Sequence, residues 1–361
     1  MKKVDVFIIN RRIHKYTHGH SSLIVVAMFF YVICFAIDRN FYKELTKQAL
    51  WCQGDCKNNS TISIILKMLW VFASENFTPY EFRCYAFLSK SKNERQKYIP
   101  EESLKWTFKT DKSINKLPRN KFRRYQLFSS LFHRDIICLS QENTEQAEKD
   151  YCNFKKNHSE AIFKPLKGAQ GKGVRKISIK GMDYQSLREI LGTGDYMVEE
   201  VIKQGLELAR FHPSSINTIR YVTAMSPEGK YSVLYSMLRC GGSGSVVDNV
   251  GSGGYIMLIS DDGVIETDAM RAGEYFEKHP DTDVIFKGSK IPSWQEIKDI
   301  AEKAHKSLPE QRLFGWDFAW TENGWDLVEV NPGPAVVSFQ ILKNKGLKPN
   351  FQEAGILLNN S

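Results

Sequence analysis

Near the C-terminus, GWDFAWTENGWDLVEVNPGP (residues 315–334) places Asp317 on one arm of an apparent hairpin and Glu329 and Asn331 on the other. The strand period of two puts Glu329 and Asn331 on one face, with Val328 and Val330 on the opposite one. Hard oxygen ligands sharing a face are what Mg2+ takes. Register decides whether Asp317 joins them. A two-residue turn at residues 323–324 pairs Asp317 with Val330 and turns it away from Glu329. A three-residue loop over residues 322–324, with Gly324 left-handed, pairs Thr321 with Trp325 and sets Asp317 opposite Glu329. Cross-strand partners have Cβ atoms about 5 Å apart, close enough for both carboxylates to share one or two cations. The three-residue loop is the predicted one. A local lysine pairing with the acid would leave Asn331-Pro-Gly-Pro unexplained.

A second group of residues suits phosphate. IFKPLKGAQGKGVRKI (residues 162–177) puts Lys164 on a strand ahead of a loop with Gly168, Gly171 and Gly173. Glycines let backbone N–H groups approach a phosphate closely, and the lysines add charge. It is not a Walker loop, because no Ser/Thr follows the lysine and the next element is a strand. Alone, it reads equally well as a flexible hairpin tip. Further on, YMVEEVI (residues 196–202) ends in Glu199 and Glu200 where a strand leaves its sheet, and Glu207 follows. A flat base suits a strand edge with outward backbone groups, and a nearby carboxylate can accept from ribose hydroxyls. The competing reading is a solvated acidic strand end. Arg220 in NTIRYVT lies mid-strand, where an unpaired guanidinium is costly to bury. An anion should meet it.

LRCGGSGSVVDNVGSGGY (residues 238–255) carries Arg239, Asp248 and Asn249 in a glycine-rich segment. It is predicted to be a mobile loop over the site, its arginine binding a carboxylate bidentately and the other two binding hydroxyls or an amine. An ordinary surface loop is the alternative. His279, before Pro280, is a candidate acid/base or substrate contact, weighed against a structural role. No Ser/His/Asp or Cys/His arrangement stands out.

These residues need elements to hold them. Residues 1 to about 110 read as mostly helical, with ISIILKMLWVFA (residues 62–73) as an apolar run and TPYEF supplying a helix start with an early proline. The Lys-rich stretch 89–97 is a candidate linker. From Ser159 onward short strands are punctuated by glycine: AIFKP, VRKISI, YMVEEVI, TIRYVTAM, YSVLYSMLR, YIMLIS and the final hairpin. Helical patterns occupy residues 184–191 and 293–307, the latter opening on SWQE, which resembles a capping box. The second half is predicted to be an α+β domain built around antiparallel strands.

Composition fits a globular protein. The chain has 361 residues, 42% hydrophobic and 12% aromatic, enough for two or three packed domains. Lys+Arg of 50 against Asp+Glu of 41 gives a net charge of +9, which favours an anionic partner. Nucleic acid is not predicted, since no zinc-finger spacing, aromatic RNP-type segment or dominant basic helix is present. Seven scattered cysteines do not resemble a secreted disulfide framework and suggest a reduced compartment. Cys52 and Cys56 lack the second pair a zinc site needs. LIVVAMFFYVICFAI (residues 23–37) is an apolar run of fifteen behind Lys2, Lys3, Arg11, Arg12 and Lys15. A spanning helix takes about 20 residues, so the run is predicted to be buried in an N-terminal domain, with a membrane-contacting helix as the alternative.

A strand lysine before a glycine-rich loop, VEEVI, a mid-strand arginine and a terminal D…ExN together resemble the ATP-grasp superfamily, over roughly residues 117–338. TPYEFRCYAF, ERQKYIP, SINTIRYVT, LRCGG, VDN with GSGG, HP, IPSW, GWDFAW and VEVNPGP resemble its sugar-transfer-associated family, found with polysaccharide biosynthesis functions. The resemblance implies an ATP-grasp fold with two α+β subdomains gripping ATP, preceded by the mostly helical N-terminal region. The ATP-grasp domain would span residues 111–361, with a nucleotide grip at about 117–215 and a substrate and metal part at about 216–340. It implies ATP and Mg2+ as cofactors. Lys164 would contact the nucleotide phosphates, Glu199, Glu200 and Ile202 would line the adenine hinge, and Glu207 would accept from ribose. Lys121 in RNKFRRYQLF resembles the first phosphate-binding lysine, although Asn120 replaces the usual acid before it. Arg220 would steady the γ-phosphate or acyl intermediate, and Asp317, Glu329 and Asn331 match the metal ligands.

The implied activity is a carboxylate–amine ligase using an acyl-phosphate intermediate. It would act on a sugar acid, or join an amino acid to one, in capsule or other surface polysaccharide assembly. Two alternatives stand beside it: a kinase phosphorylating a sugar hydroxyl with the same grasp, and a membrane-tethered scaffold with a degenerate site. The presence of all three metal ligands and Lys164 disfavours the scaffold. The expected partners are a sugar-acid or polysaccharide precursor and an amine. The expected location is the cytoplasm, with peripheral contact to the inner face of the membrane through residues 1–40.

Overall fold

The computed structural model describes residues 39–55, 60–110, 115–168, 173–242 and 253–356. The apolar run 23–37, Cys34, Cys56, Gly171, Asp248 and Asn249 lie outside them. Two compact units are present, one made of residues 1–114, 226–230 and 333–361, the other of 115–225 and 231–332. The fold is α+β, with a helical N-terminal region.

In the first unit, α1 (Arg39–Asp55), α2 (Thr61–Glu75), α3 (Pro79–Cys84), α4 (Lys92–Arg95) and α5 (Glu101–Thr110) follow one another. α2 starts where the Ser60 hydroxyl accepts from Ser63 N, and stops at Asn76, left-handed at φ 63°. α3 opens on a complete capping box between Thr78 and Glu81, with Pro79 in its first turn. Phe41, Leu45, Phe72, Phe77, Phe82, Tyr85 and Phe87 form a shared core. The stretch predicted as a linker, 89–97, carries the short helix α4 and is mostly exposed, with Arg95 as its buried anchor. Arg95 is buried there because its guanidinium forks onto Glu75, Nε to Oε2 at 3.0 Å and Nη2 to Oε1 at 2.5 Å, which satisfies both charges.

The second unit holds two sheets. The smaller has strand order β1-β4-β2-β3, formed by Ile136–Leu139, Tyr196–Glu200, Glu160–Pro165 and Arg175–Ser178, all antiparallel. Its core is shared with two helices, Thr144–Asn157 and Tyr184–Leu191, through Ala147, Tyr151, Phe154, Leu187 and Leu191. The larger runs β11-β10-β5-β6-β7-β8-β9, with β7 at Tyr255–Ile259, β8 at Ala269–Arg271 and β9 at Glu274–Phe276. Its site-bearing strands are β5 (Thr218–Met225), β6 (Tyr231–Cys240), β10 (Leu313–Thr321) and β11 (Gly324–Asn331). The helix Trp294–Lys306 packs on this sheet through Ile297, Ala301 and Ala304. The capping box predicted at its start does not form. Ser293 is left-handed at φ 41° and its side chain caps nothing, while its carbonyl accepts from Glu296 N and Trp325 Nε1.

The hairpin differs from expectation in its device, not in its result. Thr321 pairs with Gly324, so the turn holds two residues, 322 and 323, and not three. With that turn alone, Asp317 would face Val328. A β-bulge between the 317 and 318 positions adds one residue to β11, and Asp317 pairs with Glu329 after all. The core demands it. Trp325, Leu327 and Val330 all belong to the main hydrophobic cluster, and a spacing of two followed by three can share a face only if one extra residue is inserted.

Candidate active site

Asp317 sits on β10, one strand in from the edge of the larger sheet, 2% exposed and flanked by Glu329 on β11 and Arg220 on β5. Arg220 Nε donates to Asp317 Oδ1, and its Nη2 donates to Oδ2 at 2.9 Å. Arg239, reaching from β6, places Nη2 3.2 Å from the same Oδ2. It also donates through Nε and Nη2 to the Thr218 hydroxyl, at 3.0 and 2.7 Å. Asn331 Nδ2 donates to Asp317 Oδ2 at 3.3 Å. The anion expected beside Arg220 is therefore the Asp317 carboxylate. Burial pushes that carboxyl up, but Arg220 and Arg239 override it and hold it below the ordinary aspartate value. It is ionised at neutral pH. Asp317, Glu329 and Asn331 give an all-oxygen set on one face, with one carboxylate ionised and the other side chain, Glu329, 38% exposed. Such a set fits Mg2+.

The smaller sheet contributes a second cluster. Lys164 on β2 places Nζ 2.7 Å from Glu199 Oε1 on β4, and Glu199 is 2% exposed. Arg134, just ahead of β1, donates to Glu199 Oε2 through Nε at 3.0 Å and Nη2 at 2.6 Å. Its Nη1 donates to Asp326 Oδ1 on β11 at 2.8 Å and to the Leu327 carbonyl at 2.9 Å. Burial alone would raise the Glu199 carboxyl, yet Lys164 and Arg134 hold it below its usual value. Arg134 thus ties the smaller sheet to the strand carrying Glu329. Neither Arg134 nor Asp326 stands out in the sequence. The signal available is a charged residue directly before a short apolar run, HRDIICL, and an acid between two buried residues, WDL.

Lys121 is the first residue of the helix Lys121–Leu127, and Asn120 is its cap, with Oδ1 accepting from Phe122 N at 2.9 Å and Arg123 N at 3.2 Å. An amide serves that cap as well as an acid would. Lys121 Nζ lies 3.9 Å from Glu329 Oε1. Its ammonium is destabilised, first by burial and then by the nearby Lys164 charge, with Glu329 opposing, so its pKa falls below the usual lysine value. Lys121, Arg220 and Arg239 therefore gather cationic groups around the Asp317–Glu329 pair, and Lys164 stands near enough to Lys121 to act on its charge. Polyphosphate is a matching ligand chemistry.

Other predicted residues take varied places. Gly168 and Gly173 have φ of 135° and 77°, and a Cβ on Gly173 would lie 2.9 Å from Pro165 Cγ, so both need glycine. Glu200 points the opposite way from Glu199, its Oε2 accepting from Asp135 N at 3.2 Å, so its carboxylate is turned from Lys164. Half-buried Ile202 lies on the stretch that follows. Glu207 is exposed and accepts from Trp320 Nε1 at 2.7 Å. His279 is fully buried, and both nitrogens are used: Nε2 meets the Gly241 carbonyl at 3.0 Å and Nδ1 accepts from Asp281 N at 3.1 Å. The substrate or acid/base role considered for it gives way to a structural one, because no face of the ring reaches solvent.

The sugar-transfer associated ATP-grasp family model matches residues 112–355. No curated protein matches the chain. Among solved structures, VanG D-Ala:D-Ser ligase from Enterococcus faecalis is 15% identical, covering 66% of this chain and 61% of its own, with a TM-score of 0.42. The D-alanine-D-alanine ligase from Coxiella burnetii is 12% identical over 67% of this chain and 57% of its own, TM-score 0.39. The ATP-grasp ligase PsnB, with precursor peptide PsnA2 and AMPPNP, is 13% identical over 65% and 57%, TM-score 0.39. The chain thus spans less than two thirds of the length of each. With its family model covering most of the chain, this protein belongs to the sugar-transfer associated ATP-grasp family, whose cofactors are ATP and Mg2+.

Proposed function

We propose that the chain is an ATP- and Mg2+-dependent carboxylate–amine ligase that acts on a sugar acid, or joins an amino acid to one, in surface polysaccharide assembly. Residues 117–215 would form the nucleotide grip and 216–340 the substrate and metal part. The observation that carries the reading is the row Glu329–Asp317–Arg220 across three adjacent strands, with Lys121 beside Glu329.

Asp317, Glu329 and Asn331 would hold Mg2+, which would supply neutralisation of the charge that builds during phosphoryl transfer. Lys164 and Lys121 fix the phosphates in line with the acceptor, and the Glu199–Arg134 pair keeps Lys164 from swinging away. A substrate carboxylate oxygen attacks the γ-phosphorus while the bond to the ADP oxygen breaks, giving an acyl phosphate and ADP. Arg220 stabilises the negative charge on the phosphoryl oxygens. The amine then attacks the acyl carbon, phosphate leaves, and the amine loses a proton to water. Arg239, held by Thr218 and Asp317, orients the acceptor carboxylate through its positive charge. No side-chain nucleophile is required.

The test pairs uronic acids with amino acids and amines in the presence of ATP and Mg2+ and reads product masses. An amide, heavier than the acid by the amine less one water, supports the ligase. A phosphorylated sugar would replace it with a kinase, and a chain inert toward nucleotide would fit a scaffold. Among the described residues, no helix is long and apolar enough to cross a membrane. The reading places the enzyme in the cytoplasm, peripheral to the inner face of the membrane through residues 1–40.

A further inference from the structure

α2 is apolar on more faces than its core needs. It buries Ile64, Met68, Leu69, Val71 and Phe72, yet Ile62, Leu66 and Trp70, spaced four apart and so aligned along the helix, are 71%, 55% and 39% exposed. α1 does the same with charge added. Lys43, Lys47, Leu50 and Trp51 share its outer side and line an open, mostly apolar cavity of about 530 Å³. Leu50 is 55% and Trp51 46% exposed. The two stripes lie on consecutive helices whose adjoining ends are tied together, Thr61 Oγ1 at the start of α2 donating to Gln53 in the last turn of α1. Over Trp51 lies the Arg83 guanidinium, 4.0 Å from the ring centroid, with Tyr80, 43% exposed, on its other side at 5.6 Å.

We infer that this α1–α2 face is a docking surface for an anionic lipid bilayer. Three observations choose that occupant. The face mixes aliphatic and tryptophan side chains with lysines and an arginine and contains no exposed acid among its lining residues, so it complements a surface that is apolar beneath and negative at the headgroups. Tryptophan and tyrosine with a cation between them suit the headgroup level, where an apolar ring and a wet polar edge are both satisfied. The chain entering α1 carries fifteen apolar residues, 23–37, behind Lys2, Lys3, Arg11, Arg12 and Lys15, so the same chemistry continues in the adjoining sequence. This deepens the peripheral placement proposed above and is independent of the ligase chemistry.

The experiment is co-sedimentation of the full chain with phosphatidylcholine vesicles, with and without phosphatidylglycerol. The wild type should bind the anionic vesicles in a salt-sensitive manner. Lys43→Gln with Lys47→Gln should weaken that binding by about 30-fold, from roughly 1 kcal/mol per lysine. Leu66→Ser with Trp70→Ser should weaken it by at least ~10-fold while ATP turnover stays unchanged. If the apolar variant does not yield folded protein, the lysine pair alone decides. Binding of the wild type with both variants unaffected would overturn the face and leave peripheral placement standing. No binding by the wild type would overturn both. A lowered melting temperature of the apolar variant without altered lipid binding would mean that the chain itself covers this face, and would also overturn the inference.

Discussion

The proposed function gives Glu329 and Arg239 separable jobs, and single substitutions should expose them. Glu329 stands opposite Asp317 with its side chain more than a third exposed, so Glu329→Gln removes one anionic ligand without changing shape or disturbing a buried pair. ATP turnover should fall by at least ~100-fold with the melting temperature unchanged. Undiminished turnover would remove Glu329 from the metal set. Arg239 is different, since Asp317 keeps Arg220 when Arg239 is lost. Arg239→Ala should raise the acceptor acid's KM by about 10- to 100-fold and leave the KM for ATP nearly unaltered. An equal loss on ATP would place Arg239 on the nucleotide. Residue identity alone reveals Asp317, Glu329, Lys164 and Arg220, because a charged side chain on a strand otherwise rich in β-formers must meet a countercharge, an ion or a ligand. It does not reveal Arg134, whose partners Glu199 and Asp326 are 65 and 192 positions away.

At the scale of elements, sequence period marks the boundaries of β5 at residues 218–225 and of the helix at 184–191, where apolar spacing is regular and turn residues flank each end. It fails where local chemistry is overridden. Ser293 does not cap its helix because the Ser293 carbonyl is engaged by Trp325 and its backbone is left-handed. The helix Thr144–Asn157 is hard to see in the sequence although Ala147, Tyr151 and Phe154 carry its buried stripe, because TEQAEKDYCNFKKN is otherwise polar. The helix Trp294–Lys306 yields a pH prediction. His305 is fully buried, its Nε2–H donating to the Gln311 carbonyl at 2.9 Å and its Nδ1 accepting from the Thr223 hydroxyl at 2.7 Å. Burial disfavours the imidazolium, with Arg312 adding to the effect, and the pKa falls from 6.5 to about 4. A depressed folded pKa means stability that is present above pH 6.5 and lost as pH falls toward 4. The loss amounts to about 3 kcal/mol over that window. Urea unfolding across pH 4 to 7 should show this slope in the wild type and a smaller one in His305→Gln; identical slopes would refute it.

For the whole molecule, composition supports a packed protein with a preference for anionic partners, and the strand texture supports α+β. What composition cannot show is that the first compact unit takes in residues 226–230 and 333–361 beside the N-terminal helices. Such pairing depends on close contacts such as that of Gly355, where a Cβ would lie 2.5 Å from Pro227 Cδ, and nothing in either local sequence announces the other. Charge has a functional counterpart at this scale, since a basic chain of net +9 raises the local concentration of an anionic ligand such as ATP. The most direct measurement is the fate of carboxylate oxygen. With the acid that supports turnover labelled by 18O in its carboxyl group, and with its amine, ATP and Mg2+ present, one labelled oxygen should appear in the inorganic phosphate released for each amide formed, because the acyl phosphate passes that oxygen to phosphorus. Unlabelled phosphate, or phosphate retained on the sugar, would contradict the ligase.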